Sequence, residues 1–174
     1  MTEELSTAGE NFDPSEGYEN KVLTTEEALN DLMLMVATMF VFMMQLGFAL
    51  LESGMVSPKN SKQILIKNVF DAGTTALSFW LLGFGFAFGV QKDGNQFIGT
   101  DKRLFASKDF LSQEENVYLQ WMWQFTFAAT SATIVSGSIA ERTQLLTYLC
   151  FSALMTGFIY PIVVAWTWGG GWLG

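Results

Sequence analysis

Two groups of residues in this sequence could do chemistry. The first is aromatic: Trp123, Phe127, Trp166, Trp168 and Trp172 fall within or beside long uncharged stretches. A ring face attracts a small cation, with a contact worth about 0.5–2 kcal/mol depending on how dry the site is. Such a face could replace part of a cation's water shell at the mouth of a narrow path, but not all of it. A cation held this way needs further acceptors or must lose its charge before crossing. For Trp166 and Trp172 the competing expectation is an interfacial belt, which tryptophan favours. The second group is a pair of carboxylates, Glu52 and Asp71. An ionisable side chain inside a membrane segment points to function by default. Both lie within a few residues of charged loops, however, so the expectation is interfacial: capping a helix, or pairing with Lys59 or Lys67.

Other chemistries are excluded by what is missing. The chain has no histidine, so neither a zinc site of the usual kind nor a histidine-based triad can be built from it alone. Cys150 is the single cysteine, which rules out an internal disulfide. No nucleophile–base pair or metal constellation is recognisable, so an enzyme is the least favoured class and no cofactor or metal is expected. The formal net charge is −8 with no basic patch, which argues against a nucleic-acid partner.

The elements that must position these residues are apolar. Half of the 174 residues are hydrophobic, and charge is nearly absent from four blocks, 32–51, 69–90, 117–140 and 145–168. Each approaches the roughly 20 apolar residues that a membrane-crossing helix needs, and in lipid only a helix satisfies its own backbone. The chain is therefore expected to be an all-α integral membrane protein with four transmembrane helices. Residues 1–30 read as an acidic, flexible, extracellular tail. Glu3, Glu4, Glu10, Asp13, Glu16, Glu19, Glu26 and Glu27 there face Lys21 alone, and no cleavable signal sequence is recognisable. Residues 31–174 read as one membrane domain.

Pro58 should stop the first helix, and Pro161 should kink the last one or free a carbonyl within it. Lys59, Lys62 and Lys67, with Arg142 after the third helix, place the two short connections in the cytoplasm and the N-terminus outside. Glu141 and Arg142 are expected to finish the third helix at the interface, a structural role. Ala128, Ala132, Ser136 and Ala140 recur every four residues, and Gly85 and Gly89 form a GxxxG pair. Both patterns let another backbone approach closely.

Four stretches carry a resemblance to a known family: MQLGFALLESGMVSPKN, FWLLGFGFAFG, QFTFAATSATIVSGSIAERTQ and YPIVVAWTWGGGW. In order and spacing, from about Asp31 to Gly174, they resemble the ammonium transporter (Amt/Mep/Rh) family, especially its plant-like Amt branch. The resemblance implies an eleven-helix fold of two inverted halves, trimeric assembly, and a separate pore in each subunit. It further implies that ammonium is recruited at an outer aromatic site and deprotonated, and that it crosses as ammonia with the proton carried separately. Trp168 resembles the vestibule tryptophan that meets the cation, Phe127 a ring of the phenylalanine gate, and Trp123 a second vestibule aromatic.

The resemblance also marks departures. Ala165 stands where many relatives have histidine, and the family's paired pore histidines, its partner gate phenylalanine and its inner acidic residue would lie beyond Gly174. The expectation is therefore the N-terminal part of a plasma-membrane ammonium transporter, homotrimeric when full-length. The alternatives are an ammonium sensor or receptor module, or a non-transporting truncated subunit that assembles with full-length relatives.

Overall fold

The computed structural model describes residues 14–90, 97–107, 117–139 and 142–173, the side chains of 14–24 and 107 apart. These residues form helices and turns, with no strand among them. Helix α1 spans Pro14–Met55. Helix α2, Ser61–Ser78, runs through a π-helical turn at Phe79–Gly83 into α3, Phe84–Phe88. Helix α4 spans Val117–Ile139, and α5, Leu145–Leu154, runs through a second π-helical turn at Met155–Ile159 into α6, Tyr160–Thr167. The expected all-α architecture with four long helical runs is what the described residues adopt.

Three of the runs, Thr25–Met55, Ser61–Phe88 and Leu145–Thr167, are long and apolar enough to cross a membrane. The fourth, α4, has 23 residues but is rich in hydroxyls. Its hydroxyls suit lipid because they return their protons to the helix itself: Thr126 donates to the Trp123 carbonyl, Thr130 to Thr126, Ser131 to Ala128 and Ser138 to Val135.

The chain divides into two compact units, residues 1–34 and 35–174. In the first, the helix begins at Pro14, inside the stretch read as an acidic tail. Proline suits a first helical turn because its missing N–H would be unpaired there anyway. Leu29, Leu32 and Met33 are exposed. In the second unit, Met39, Phe40, Met43, Leu50 and Leu51 of α1 are also exposed. So large a bare apolar face would drive aggregation in water, whereas acyl chains are its natural solvent.

Helix α2 starts at Ser61, earlier than the expected 69, because the hydropathy pattern stops at the polar Lys67 and Asn68. Within the second unit, side-chain pairings fix the helix directions. Lys67 meets Ser136 and Tyr148, whereas Asp71 meets Thr133 and Ser152. As α2 ascends from 67 to 71, α5 therefore ascends beside it and α4 descends. Gln45 pairs with Thr133 and Glu52 with Ser136, so α1 runs alongside α4. This up-and-down order puts residues 56–60 and 142–144 at one end of the bundle.

The bundle is polar at that end and aromatic at the other. Phe79, Phe84, Val117 and Ala128 form the buried apolar core, flanked by Phe88, Leu104, Trp121, Phe125 and Tyr160. Trp121 stacks on Phe125 with ring centroids 5.6 Å apart and 8° between planes. The small-residue stripe behaves as expected where it is described: Ala128, Ala132 and Ser136 are fully buried, while Ala140 lies outside the described residues.

The GxxxG pair takes a different partner from the expected helix. A Cβ on Gly85 would lie 2.7 Å from the Phe105 ring, and one on Gly89 would lie 3.0 Å from the Asp101 nitrogen. Both glycines admit the loop 97–107, whose Gly99 donates its N–H to the Phe86 carbonyl.

The two π-helical turns face each other. A Cβ on Gly83 would meet the Thr156 carbonyl at 2.7 Å, so glycine there allows the backbones to touch. The second turn directly precedes Pro161, as expected for a proline that cannot continue the hydrogen-bond ladder. The first has no proline and was not anticipated.

Candidate functional site

The aromatic end carries the three residues expected to meet a cation. Trp123 and Phe127 are one turn apart on α4 and pack edge to face, centroids 4.7 Å apart at 85°. Phe127 is 36% exposed and Trp123 is half-buried. Because α4 descends while α6 ascends, Trp168, just beyond α6, stands at the same end of the bundle. It is 74% exposed and makes no ring contact with the Trp123–Phe127 pair among the described residues. The structure thus brings two of the three together and leaves the third free to present its ring face.

Trp168 is held by the backbone after it. The N–H groups of Trp168 and Gly169 both donate to Val164, that of Gly171 to Ala165, and that of Leu173 to Trp166. This return turn closes the carbonyl end of α6 and depends on Gly170 at φ 80°. Gly169 abuts the Ala87 carbonyl, a contact no side chain could share. Trp166 turns away: its indole Nε1 donates to the Phe97 carbonyl at 2.8 Å, and its ring packs on Phe97 and Trp172. It fastens the loop 97–107 to the helix end. Ala165, where many relatives were expected to carry histidine, is fully buried.

On the same loop, Arg103 grips Asp101 through several hydrogen bonds, the shortest ion-pair distance being 2.8 Å. Those Arg103 contacts hold the Asp101 carboxyl below the usual carboxylate range.

The carboxylates Glu52 and Asp71 are not interfacial caps. Glu52 is 5% exposed and Asp71 2%. Glu52 accepts from the Asn68 amide at 3.1 Å and from the Ser136 hydroxyl at 3.2 Å through one oxygen, Oε2. Asp71 accepts from Ser152 and, at 3.3 Å, from Thr133, while Thr75 lies 3.3 Å from the Ser152 hydroxyl.

Lys67, 6% exposed, lies with them but within salt-bridge distance of neither; among the described residues the one ion pair is Arg103–Asp101. Its Nζ donates to the Ser136 carbonyl at 3.3 Å and sits 4.2 Å over the Tyr148 ring. Lys59 is exposed and Arg142 likewise, and Glu141 lies outside the described residues. Sequence reasoning missed this cluster because it measured distance to the loops along the chain. The signal was available in the spacing: Lys67, Asp71 and Thr75 recur every four residues and must share one face of α2. Among the described residues no group of acids, cysteine or histidine is arranged to hold a metal.

Helices that bare their apolar faces and keep ionisable groups inside define an integral membrane protein. Comparison with known proteins gives the family: residues 32–174 match the Ammonium Transporter Family, and the chain belongs to it. It is 47% identical over 148 residues to ammonium transporter 1 member 3 of Solanum lycopersicum, covering 84% of this chain and 31% of that protein. It is 37% identical over 169 residues to ammonium transporter Amt2 of Archaeoglobus fulgidus, covering 97% and 34%. A solved structure of a Sensor Amt Protein superposes with a TM-score of 0.78 at 35% identity, covering 84% of this chain and 35% of that one. The chain thus spans about a third of the length of these relatives. The two sequence relatives are named as transporters rather than enzymes.

Proposed function

We propose that this chain supplies the ammonium-recruiting end and one wall of the conduction path of an ammonium transporter. The observation that carries the proposal is Trp168, a bare indole fixed at a helix end by a glycine turn. A cation at its face also meets the negative end of the α6 dipole, a second attraction of about 0.3–1 kcal/mol. Trp123 and Phe127 form the wall facing the path, and the cation loses its proton before passing further as ammonia. The remainder of the path belongs to the length that the relatives carry beyond the matched third. Homotrimeric assembly, residence in the plasma membrane and an external N-terminus complete the reading.

The test is uptake of radiolabelled methylammonium by the complete natural chain. An indole this exposed gives a contact at the weak end of the range, about 0.5–1 kcal/mol. Trp168→Leu should therefore raise the half-saturating concentration about 2- to 5-fold with little change in maximal rate. An unchanged concentration dependence would refute recruitment at Trp168. Orientation is tested by a cysteine at the exposed Lys59 in a Cys150→Ala background: labelling by an impermeant reagent from outside intact cells would overturn it.

A second reading is favoured by the likeness to a Sensor Amt Protein. In it, the same aromatic end binds ammonium and reports occupancy without transport. Saturable binding without uptake would select it.

A further inference from the structure

We propose that Glu52, Lys67 and Asp71 form a proton-exchange site, in which the two carboxylates share one proton that passes to and from water through the cleft at the polar end of the bundle. The site is distinct from the aromatic end and stands whether or not that end recruits ammonium.

Two acids and one base in their ordinary ionised forms carry one net negative charge. Glu52, Lys67 and Asp71 are each more than nine-tenths buried, where an unbalanced charge is costly. One positive charge must enter the group. Neutral side chains line the rest of the site and cannot supply it: Gln45 from α1, Asn68 and Thr75 from α2, Thr133 and Ser136 from α4, Tyr148 and Ser152 from α5. A metal or alkali cation needs several oxygens converging on one point, and the ammonium of Lys67 already occupies the interior. A proton needs one oxygen.

The hydrogen bonds show where a proton can be taken up. Both oxygens of Asp71 accept hydroxyls, and Glu52 Oε2 accepts twice. Glu52 Oε1 is buried with no partner among the described residues, and so is Gln45 Nε2. Of these, Glu52 Oε1 is the carboxylate acceptor that can take a proton, and unfilled buried polar atoms are costly unless something visits them.

The route to bulk water is also present. Lys67 belongs to the buried cluster and at the same time lines an open cleft of about 410 Å³ with Asn60, Gln63, Ile64, Thr143 and Leu145. Neither carboxylate lines the cleft, so in the exchange a hydronium that has passed inward beside Lys67 gives up a proton, one O–H bond breaking as another forms on a carboxylate oxygen, and leaves neutral water. The reverse step returns the group to its net negative state. Both carboxylates reach α4, Glu52 at Ser136 and Asp71 at Thr133, so the proton is assigned to the pair rather than to either residue.

The experiment is infrared difference spectroscopy of the complete natural chain in lipid nanodiscs after a pH step, with uptake measured on the same preparations. The expected result is a protonated-carboxyl band that shifts in heavy water and is lost in the double variant Glu52→Gln/Asp71→Asn. Lys67→Met removes the one internal positive charge, so a second proton should enter and the band should grow about twofold by charge balance. No exchanging band in the unmodified protein, a band that survives the double variant, or an unchanged band in Lys67→Met would each overturn the proposal. The unmodified protein and the double variant keep it testable should Lys67→Met fail to fold. A band without uptake would sink the transport reading and leave this one standing; uptake without a band would do the reverse.

Discussion

Adjacent glycines after Trp168 give a sharp test, because two different physical causes require them. At Gly169 a Cβ would lie 2.0 Å from the Ala87 carbonyl oxygen, 2.8 Å from Ala165 Cα and 3.2 Å from the Ala165 carbonyl oxygen. All three are backbone atoms of helices packed against each other, so no flexible side-chain tip can yield. Non-bonded carbon contacts are comfortable at about 3.5–4.0 Å, so relief requires separating α3 from the end of α6 by more than about 1 Å. Forced overpacking of this kind costs about 1–3 kcal/mol and occasionally more, and with backbone on every side the upper part of that range applies.

Gly170 has open space around it but sits at φ 80°. There an alanine costs about 1–2 kcal/mol for its left-handed conformation alone, and asparagine, which tolerates that region, costs less. The assay is thermal unfolding of the complete natural chain in detergent for alanine and asparagine at each position. Gly170→Asn should recover most of the loss seen in Gly170→Ala, whereas Gly169→Asn should be at least as damaging as Gly169→Ala. Equal behaviour at the two positions, or an unperturbed Gly169→Ala, would refute the argument.

Further expectations follow from other contacts. Ala132 is fully buried in the small-residue stripe, so Ala132→Leu should destabilise by about 1–3 kcal/mol, read as a lowered unfolding midpoint. By contrast, Ile134→Leu on the exposed face of the same helix should change it little. Arg103 holds the Asp101 carboxyl below its unfolded value, so the stabilisation it gives is present above the unfolded carboxylate range and is lost as pH falls through the folded value. The pair is on the surface, with Arg103 largely exposed, so the loss should stay under about 1 kcal/mol. Comparing unfolding midpoints of the natural protein and Asp101→Asn at neutral and acid pH checks the sign. Trp166→Phe removes the hydrogen bond to Phe97 and should quicken amide exchange in the loop 97–107 while leaving that of α4 unchanged.

The helices were legible in the sequence because lipid demands long apolar runs, and the stripe Ala128, Ala132, Ser136 was legible because period four marks one face. Trp123 and Phe127 could be paired for the same reason. What local pattern could not give was the partner of each face. The GxxxG pair looked like a helix–helix contact, yet its partner is the loop 97–107, as the clash with Phe105 shows. Nor could local pattern give the turn after Trp168, which folds back on three carbonyls of α6. Hydropathy put the second helix at about 69 because Lys67 and Asn68 look like loop residues; only the approach of Ser136, Tyr148 and Ser152 from other helices shows that Lys67 and Asp71 belong inside.

How deep that polar group lies can be worked from helix length. The run Ser61–Phe88 has 28 residues, about 42 Å at roughly 1.5 Å per residue, against a hydrocarbon core of about 30 Å. If the run is centred, about 6 Å projects at each end, which puts Lys67 about 3 Å and Asp71 about 9 Å inside the boundary. Lys67 could reach the headgroups by extending its stem, the usual behaviour of a shallow lysine. Its ammonium instead turns inward to the Ser136 carbonyl and the Tyr148 ring, so the group is organised by the protein and not by the interface. Gln63, four residues earlier on α2, lines the cleft on the water side. In a Cys150→Ala background a cysteine at Gln63 should react quickly with an impermeant thiol reagent applied from the loop side, and one at Val69 on the outward face should not. If both were protected, the cleft would be filled by lipid, and the proton would have no route from Lys67 to water.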